Sequence, residues 1–180
     1  MILVDIWSVG HGARSLGEFT ETLRAAEIKA LADVRLIPGS RRHPHFGAQS
    51  LDASLSEIGV LYVHLPELGG RREPRTDSPH RALRVAAFRG YADHMSSEEF
   101  ARGYDHLTSL ARESRTAFMC AETLWWRCHR RLIADRLTVD GWTVTHLFAP
   151  GKSEPHVLWD AARTLDEHLV YDAGTLPIPS

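Results

Sequence analysis

Met119-Cys120-Ala121-Glu122-Thr123-Leu124-Trp125-Trp126-Arg127-Cys128-His129-Arg130-Arg131 holds both cysteines of the chain, a carboxylate, an imidazole and three guanidiniums. It begins where an apolar strand, Thr116 to Met119, gives way to a helix starting near His129. In an open α/β sheet such a junction faces the ligand, because loops at the carboxyl ends of the strands line a crevice. A thiol there is better placed for chemistry than one in a core.

Working outward, the same alternation recurs. Ile2 to Val9 reads as a buried strand closed by Gly10-His11-Gly12. Ser15 with Glu18 is a capping box for a helix carrying Leu16, Phe19 and Leu23 on one face. Ala30 to Arg35 is a second strand, Ser50 to Ile58 a second helix, and Val60 to Leu65 a third strand. A helix beginning near Ser97 carries Phe100, Tyr104, Leu107 and Leu110, with Glu98 and Glu99 suited to its positive end. After the Cys120 junction and its helix, Thr143 to Phe148 is a fifth strand. This order predicts an α/β fold: one domain over residues 1–180, with an open, mainly parallel five-stranded sheet and helices on both faces.

Pro66 to Ala87 shows no periodicity. With five arginines between Gly69 and Ala87 and few apolar anchors, this segment is expected to be a mobile lid that orders over a ligand.

Composition narrows the function. The amino terminus lacks a signal-peptide pattern, and no apolar run approaches the roughly 18 to 20 residues that span a bilayer. A soluble, cytoplasmic protein with no membrane partner and reduced cysteines is expected. The formal charge is −2, yet nine arginines face five carboxylates between Arg35 and Arg89. Arginine makes two-point hydrogen bonds with phosphate and carboxylate, so this clustering points to an anionic ligand.

The predicted layout sends polar groups from five strands to one sheet edge: His11, Asp33 with Arg35, His64, Cys120 with Glu122, and His146. Three readings follow. The first is an enzyme in which Cys120 is nucleophile or redox centre, Glu122 a proton carrier, and His11 or His129 an acid/base partner. Arg35, Arg41, Arg89 and Arg130, with Asp33 and Tyr91, would hold an anionic small molecule, a nucleotide or a nucleic-acid end. The second is a zinc or iron site drawn from Cys120, Cys128, His11, His129 and His146, although the adjacency of Cys128 and His129 makes their sharing one ion awkward. The third is a nucleotide- or nucleic-acid-binding module built on Arg41, Arg42, Arg71, Arg72, Arg75 and the Trp125-Trp126 pair, against which the acidic net charge counts. Seven residues separate the cysteines and no second pair exists, which is not a zinc-ribbon spacing. Trp126 stands where a phosphatase loop would need arginine.

The chain also resembles the family called domain of unknown function 488. The resemblance rests on Val9-Gly10-His11, Asp33-Val34-Arg35 with Pro38-Gly39-Ser40-Arg41-Arg42, and Tyr62 with Leu68-Gly69-Gly70. It continues through Phe88-Arg89-Gly90-Tyr91-Ala92-Asp93, Met119-Cys120-Ala121-Glu122, Cys128-His129-Arg130, Ile133-Ala134-Asp135 and Pro155-His156. The chain departs from the pattern at Gly12, where serine is common, and at His94, where tyrosine is usual. The resemblance implies the fold and the site, and supplies no reaction.

Overall fold

The computed structural model describes residues 4–39 and 41–173; Ile2, Leu3 and Ser40 of the stretches quoted above lie outside them. The chain order is β1 (Asp5–Gly10), α1 (Leu16–Ala25), β2 (Ala30–Asp33), α2 (Ala48–Glu57), β3 (Leu61–His64), α3 (Ala86–His94) and α4 (Glu98–Glu113). Then come β4 (Thr116–Cys120), α5 (Arg130–Val139), β5 (Thr143–Ala149), β6 (Lys152–Pro155), β7 (Ala162–Leu165) and β8 (His168–Tyr171). Short 3-10 turns at Pro44–Phe46, Pro66–Leu68 and Trp125–Arg127 complete it.

Six strands form one sheet in the order β3-β2-β4-β1-β5-β6, with β7 and β8 in a separate antiparallel pair. The fold is the expected mixed α/β arrangement, and its sheet has one strand more than the five predicted. β6 is added antiparallel to β5. Its polar sequence, Lys-Ser-Glu-Pro, carries no apolar alternation, and an edge strand tolerates proline.

Strand parity separates two cores. Ala117 and Met119 of β4 face Phe19 and Leu23 of α1 and Leu51 and Leu55 of α2. Phe118 and Cys120 face Phe100 and Leu107 of α4 and Leu132, Ile133 and Leu137 of α5. Cys120 therefore points to the face on which α5 begins.

β1 and β4 are parallel neighbours, with Gly10 opposite Cys120. From β1 the chain crosses over β4 to reach β2; from β4 it crosses over β1 to reach β5. Right-handed crossovers in opposite directions place the following helices on opposite faces, as α1 and α5 are. Between the carboxyl ends of β1 and β4 the layers diverge, and a crevice opens there.

The helices follow local chemistry. Ser15 caps α1 in a full capping box with Glu18, and Ser97 caps α4 by accepting from the Phe100 N–H. α3 was not legible as a helix: Val85 offers no side-chain cap, and Gly90 lowers the propensity by about 1 kcal/mol. Gly90 is required because the Arg72 backbone crosses against it, and a Cβ would overlap the Arg72 carbonyl.

The segment expected to be a lid is irregular but pinned to its neighbours. Arg72 pairs with Glu99 at 2.9 Å, the Arg75 N–H donates to Asp93, and His80 faces Asp93 at 3.6 Å. The Ala82 N–H donates to the Tyr171 carbonyl, and Leu83 is buried. These bonds supply the counter-charges and anchors that the sequence reading found lacking.

Gly10 ends β1 directly against the loop after β4; a Cβ there would overlap the Glu122 carbonyl oxygen and crowd the Arg130 guanidinium. Gly10→Ala is expected to lower stability by about 1–3 kcal/mol, the range for forced overpacking. Urea unfolding measures it, and an unchanged midpoint would mean that the loop is not held against β1 as described.

Candidate functional site

The crevice has a volume of about 800 Å³ and is lined by residues from the ends of β1, β2 and β4, from the start of α5 and from the Gly70–Arg71 segment. Its floor is sulfur and imidazole. Cys120 and Cys128 form no disulfide, and their sulfurs lie 2.9 Å apart. His129 Nδ1 lies 3.6 Å from the Cys128 sulfur and 4.0 Å from that of Cys120. All three donor atoms lie within 4.8 Å of one another, the one such set among the described residues able to hold a metal ion.

Backbone geometry explains how adjacent residues share one site. Cys128 is extended (φ −126°, ψ 151°) while His129 is already helical (φ −59°, ψ −17°). That change of conformation turns both side chains to the same side. The awkwardness expected from their adjacency is thereby removed.

His129 is oriented by its other nitrogen. Nε2–H donates to the Val34 carbonyl at 2.9 Å, and a carbonyl only accepts. In the neutral ring Nδ1 therefore carries the lone pair, and it faces both sulfurs.

The two thiols are inequivalent. Burial alone would raise the Cys128 pKa, but its hydrogen bond with Cys120 and the Arg130 charge and N–H bring it below the ordinary thiol value. Its position ahead of the first turn of α5 adds the favourable end of the helix dipole. The Cys120 pKa is pushed up, first by its hydrogen bond to Cys128 and then by burial. Cys128 is the more readily ionised sulfur of the pair. Cys120, which the sequence singled out, is thus the less acidic partner.

The other expected site residues divide into two groups. His11, Arg35, Tyr91 and Glu122 line the crevice. His11 Nδ1–H donates to the Gly12 carbonyl at 2.8 Å, so its Nε2 lone pair accepts from Arg35 at 3.4 Å. Burial first, then Arg35, lowers its pKa to about 4; the ring is neutral at physiological pH and its basic atom is engaged. Arg35 is itself clamped by Asp33 and bonded to the Phe46 carbonyl, while Asp33 also accepts from Tyr62. Tyr91 gives its hydroxyl to the Leu68 carbonyl, and Glu122 is exposed.

Arg41, Arg89 and Arg130 do not reach the crevice lining. Arg41 is exposed, Arg89 donates to the Leu83 carbonyl, and Arg130 is buried beneath the floor. In their place the lining holds Arg71, Arg127 and His43. Arg71 and Arg127 make no ion pair among the described residues. Arg71 has φ +62°, a left-handed conformation costly for a residue with a Cβ.

His146 is also outside the donor cluster. It belongs to a buried chain that the sequence reading missed, and the acceptor at one end sets every tautomer. Asp135 accepts from Tyr171 and from His156 Nε2–H, each at 2.9 Å. His156 Nδ1 accepts from His146 Nε2–H at 2.9 Å, His146 Nδ1 from the Ser8 hydroxyl at 3.0 Å, and Ser8 from Arg130 at 2.8 Å. Trp125 stacks on His146 at 4.2 Å, while Trp126 is exposed. His146 was expected at the sheet edge as a possible metal ligand; it is buried instead, and its partners, distant in sequence, leave no local signal.

These features define an α/β protein with a ligand-sized crevice at a topological switch point and a Cys-Cys-His floor. Residues 15–137 match the model of the family described as Domain of unknown function DUF488, and the chain belongs to that family. The matched stretch takes in Cys120, Cys128 and His129 and leaves out His11, His146 and His156. Neither a curated protein nor a solved structure matches the chain. No helix among the described residues is long and apolar enough to cross a membrane.

Burial drives the His146 pKa from 6.5 down to about 2, with His156 and Arg130 adding to the shift. The unfolded chain takes up this proton below pH 6.5 and the folded one does not. The contribution is therefore complete above pH 6.5 and is lost as pH falls, at up to about 1.4 kcal/mol per pH unit. Unfolding free energy measured from pH 7 to 5 should fall less steeply in His146→Gln than in wild type. Equal slopes would show that His146 is not held neutral.

Proposed function

We propose that this protein is a thiol-dependent enzyme acting on an anionic substrate, with Cys128 and Cys120 as its reactive pair. The observation carrying this reading is the pair of sulfurs 2.9 Å apart, beside the free nitrogen of His129, on the floor of a crevice lined by Arg71 and Arg127. Cys128 is the attacking sulfur, being the one that Arg130 and Cys120 help to ionise. His129 Nδ1 accepts a thiol proton, and Cys120 is close enough to follow as a second thiol. The arginines draw in and orient a phosphate- or carboxylate-bearing molecule through charge-assisted hydrogen bonds. A volume of about 800 Å³ falls within the range of small-molecule sites and suits a nucleotide-sized ligand. Arg41, Arg42, Arg72 and Arg75 do not line this crevice, so a nucleic-acid-binding role has less support than a small anionic substrate.

Iodoacetamide labelling of reduced, chelator-treated protein at neutral pH tests this. Modification should fall first on Cys128, should run faster than with free cysteine, and should be slowed by inorganic phosphate. Cys128→Ser should abolish the fast phase, and Cys120→Ser should retain a labelled Cys128. A rate no higher than that of free cysteine, indifferent to phosphate, would reject the reading.

A further inference from the structure

We infer that Cys120, Cys128 and His129 form a binding site for one soft divalent cation of the zinc class, with its fourth coordination position open to the crevice. The inference rests on the crevice reading only for that open position; the donor set stands on its own geometry.

Metal–sulfur and metal–nitrogen bonds of about 2.3 and 2.0 Å at tetrahedral angles place sulfur and nitrogen about 3.6 Å apart, and two sulfurs about 3.8 Å apart. The two sulfur–nitrogen separations here are 3.6 Å for Cys128, already at that spacing, and 4.0 Å for Cys120, about 0.4 Å beyond it. The sulfurs, at 2.9 Å, are joined by a thiol hydrogen bond, Cys128 to Cys120. A cation replaces the proton of that bond, and rotation of the Cys128 side chain opens the pair by about 0.9 Å.

The surroundings meet the other requirements of such a site. Ligating histidines usually give their second nitrogen to a carbonyl or carboxylate, which fixes the ring; His129 Nε2–H already donates to Val34. Two thiolates and a neutral imidazole balance a divalent charge. The Arg130 N–H lies 3.5 Å from the Cys128 sulfur and eases the burial of that thiolate. Softness and geometry favour zinc over magnesium or calcium, which take oxygen donors.

Three protein ligands and one open position are the arrangement of catalytic zinc sites, whereas structural sites are closed by four. His11 does not close this one, because its lone pair is turned to Arg35. The open position faces the cavity that Arg71 and Arg127 line, so an anionic oxygen can occupy it. Loading also turns Cys128 from nucleophile into ligand and releases the thiol protons.

Cobalt titration of the chelator-stripped, reduced full-length protein tests the inference. Uptake should stop at one ion per chain, give thiolate-to-cobalt charge-transfer absorption with the intense visible bands of four-coordination, and be displaced by zinc. Cys120→Ser, Cys128→Ser and His129→Gln should each weaken binding more than about a hundredfold, beyond the loss typical of an outer-shell partner. The wild-type spectrum decides even if a variant fails to fold. Absence of the charge-transfer band, or undiminished uptake by a folded Cys120→Ser/Cys128→Ser double variant, overturns the site. Phosphate-sensitive labelling of the metal-free protein that persists alongside either failure would leave the thiol reading intact.

Discussion

One buried guanidinium ties the crevice floor together. Arg130 reaches back from the first turn of α5 to Ser8 on β1 and to the Glu122 carbonyl in the loop after β4. It thereby fixes the loop that carries Cys128 against the strand that ends beside Cys120. A buried cation is costly unless compensated; hydrogen bonds to both terminal nitrogens supply part of that compensation, while Nε is buried without a hydrogen-bond partner. From Arg130 the chain Ser8–His146–His156–Asp135 runs to a carboxylate, every member with a defined donor and acceptor role. Breaking that chain anywhere leaves a buried polar group unpaired, a heavier cost than the modest net worth of the bond itself.

The chemistry of the floor follows from this scaffold. Parity along β4 sends Cys120 toward the α5 face, and the Arg130 N–H and guanidinium favour negative charge on Cys128. Val34, just beyond β2, fixes His129 through its carbonyl. Two strand ends and one helix start thus contribute to a cluster less than 5 Å across. Arg35, by contrast, is neutralised by Asp33, which leaves Arg71 and Arg127 to give the crevice its positive character.

Much of the frame was legible in the sequence because its signals are local. The Ser15–Glu18 box, the apolar run before Cys120 and the helical spacing of Phe100, Leu107 and Leu110 each report on their own segment. α3 was hidden because Gly90 answers to the chain crossing it. β6 was hidden because an edge strand needs no apolar alternation. The site was legible in part for a similar reason. Cysteine and histidine at a strand end stand out, whereas an arginine looks the same in sequence whether it meets solvent, a ligand or a carbonyl. Arg41, Arg89 and Arg130 were grouped with Arg35 on residue type alone, and their partners, fixed by tertiary packing, separate them. The convergence of Cys128 with His129 depends on one change of backbone conformation that the sequence does not announce.

The proposed function requires an ionisable sulfur where anions are drawn in. The most direct measurement compares labelling by negatively charged iodoacetate and neutral iodoacetamide, using the metal-free protein at low ionic strength with glutathione as reference. The expected iodoacetate-to-iodoacetamide rate ratio at Cys128 is well above that of glutathione, falling toward it as salt is added. A ratio equal to or below that of glutathione at low salt would contradict it.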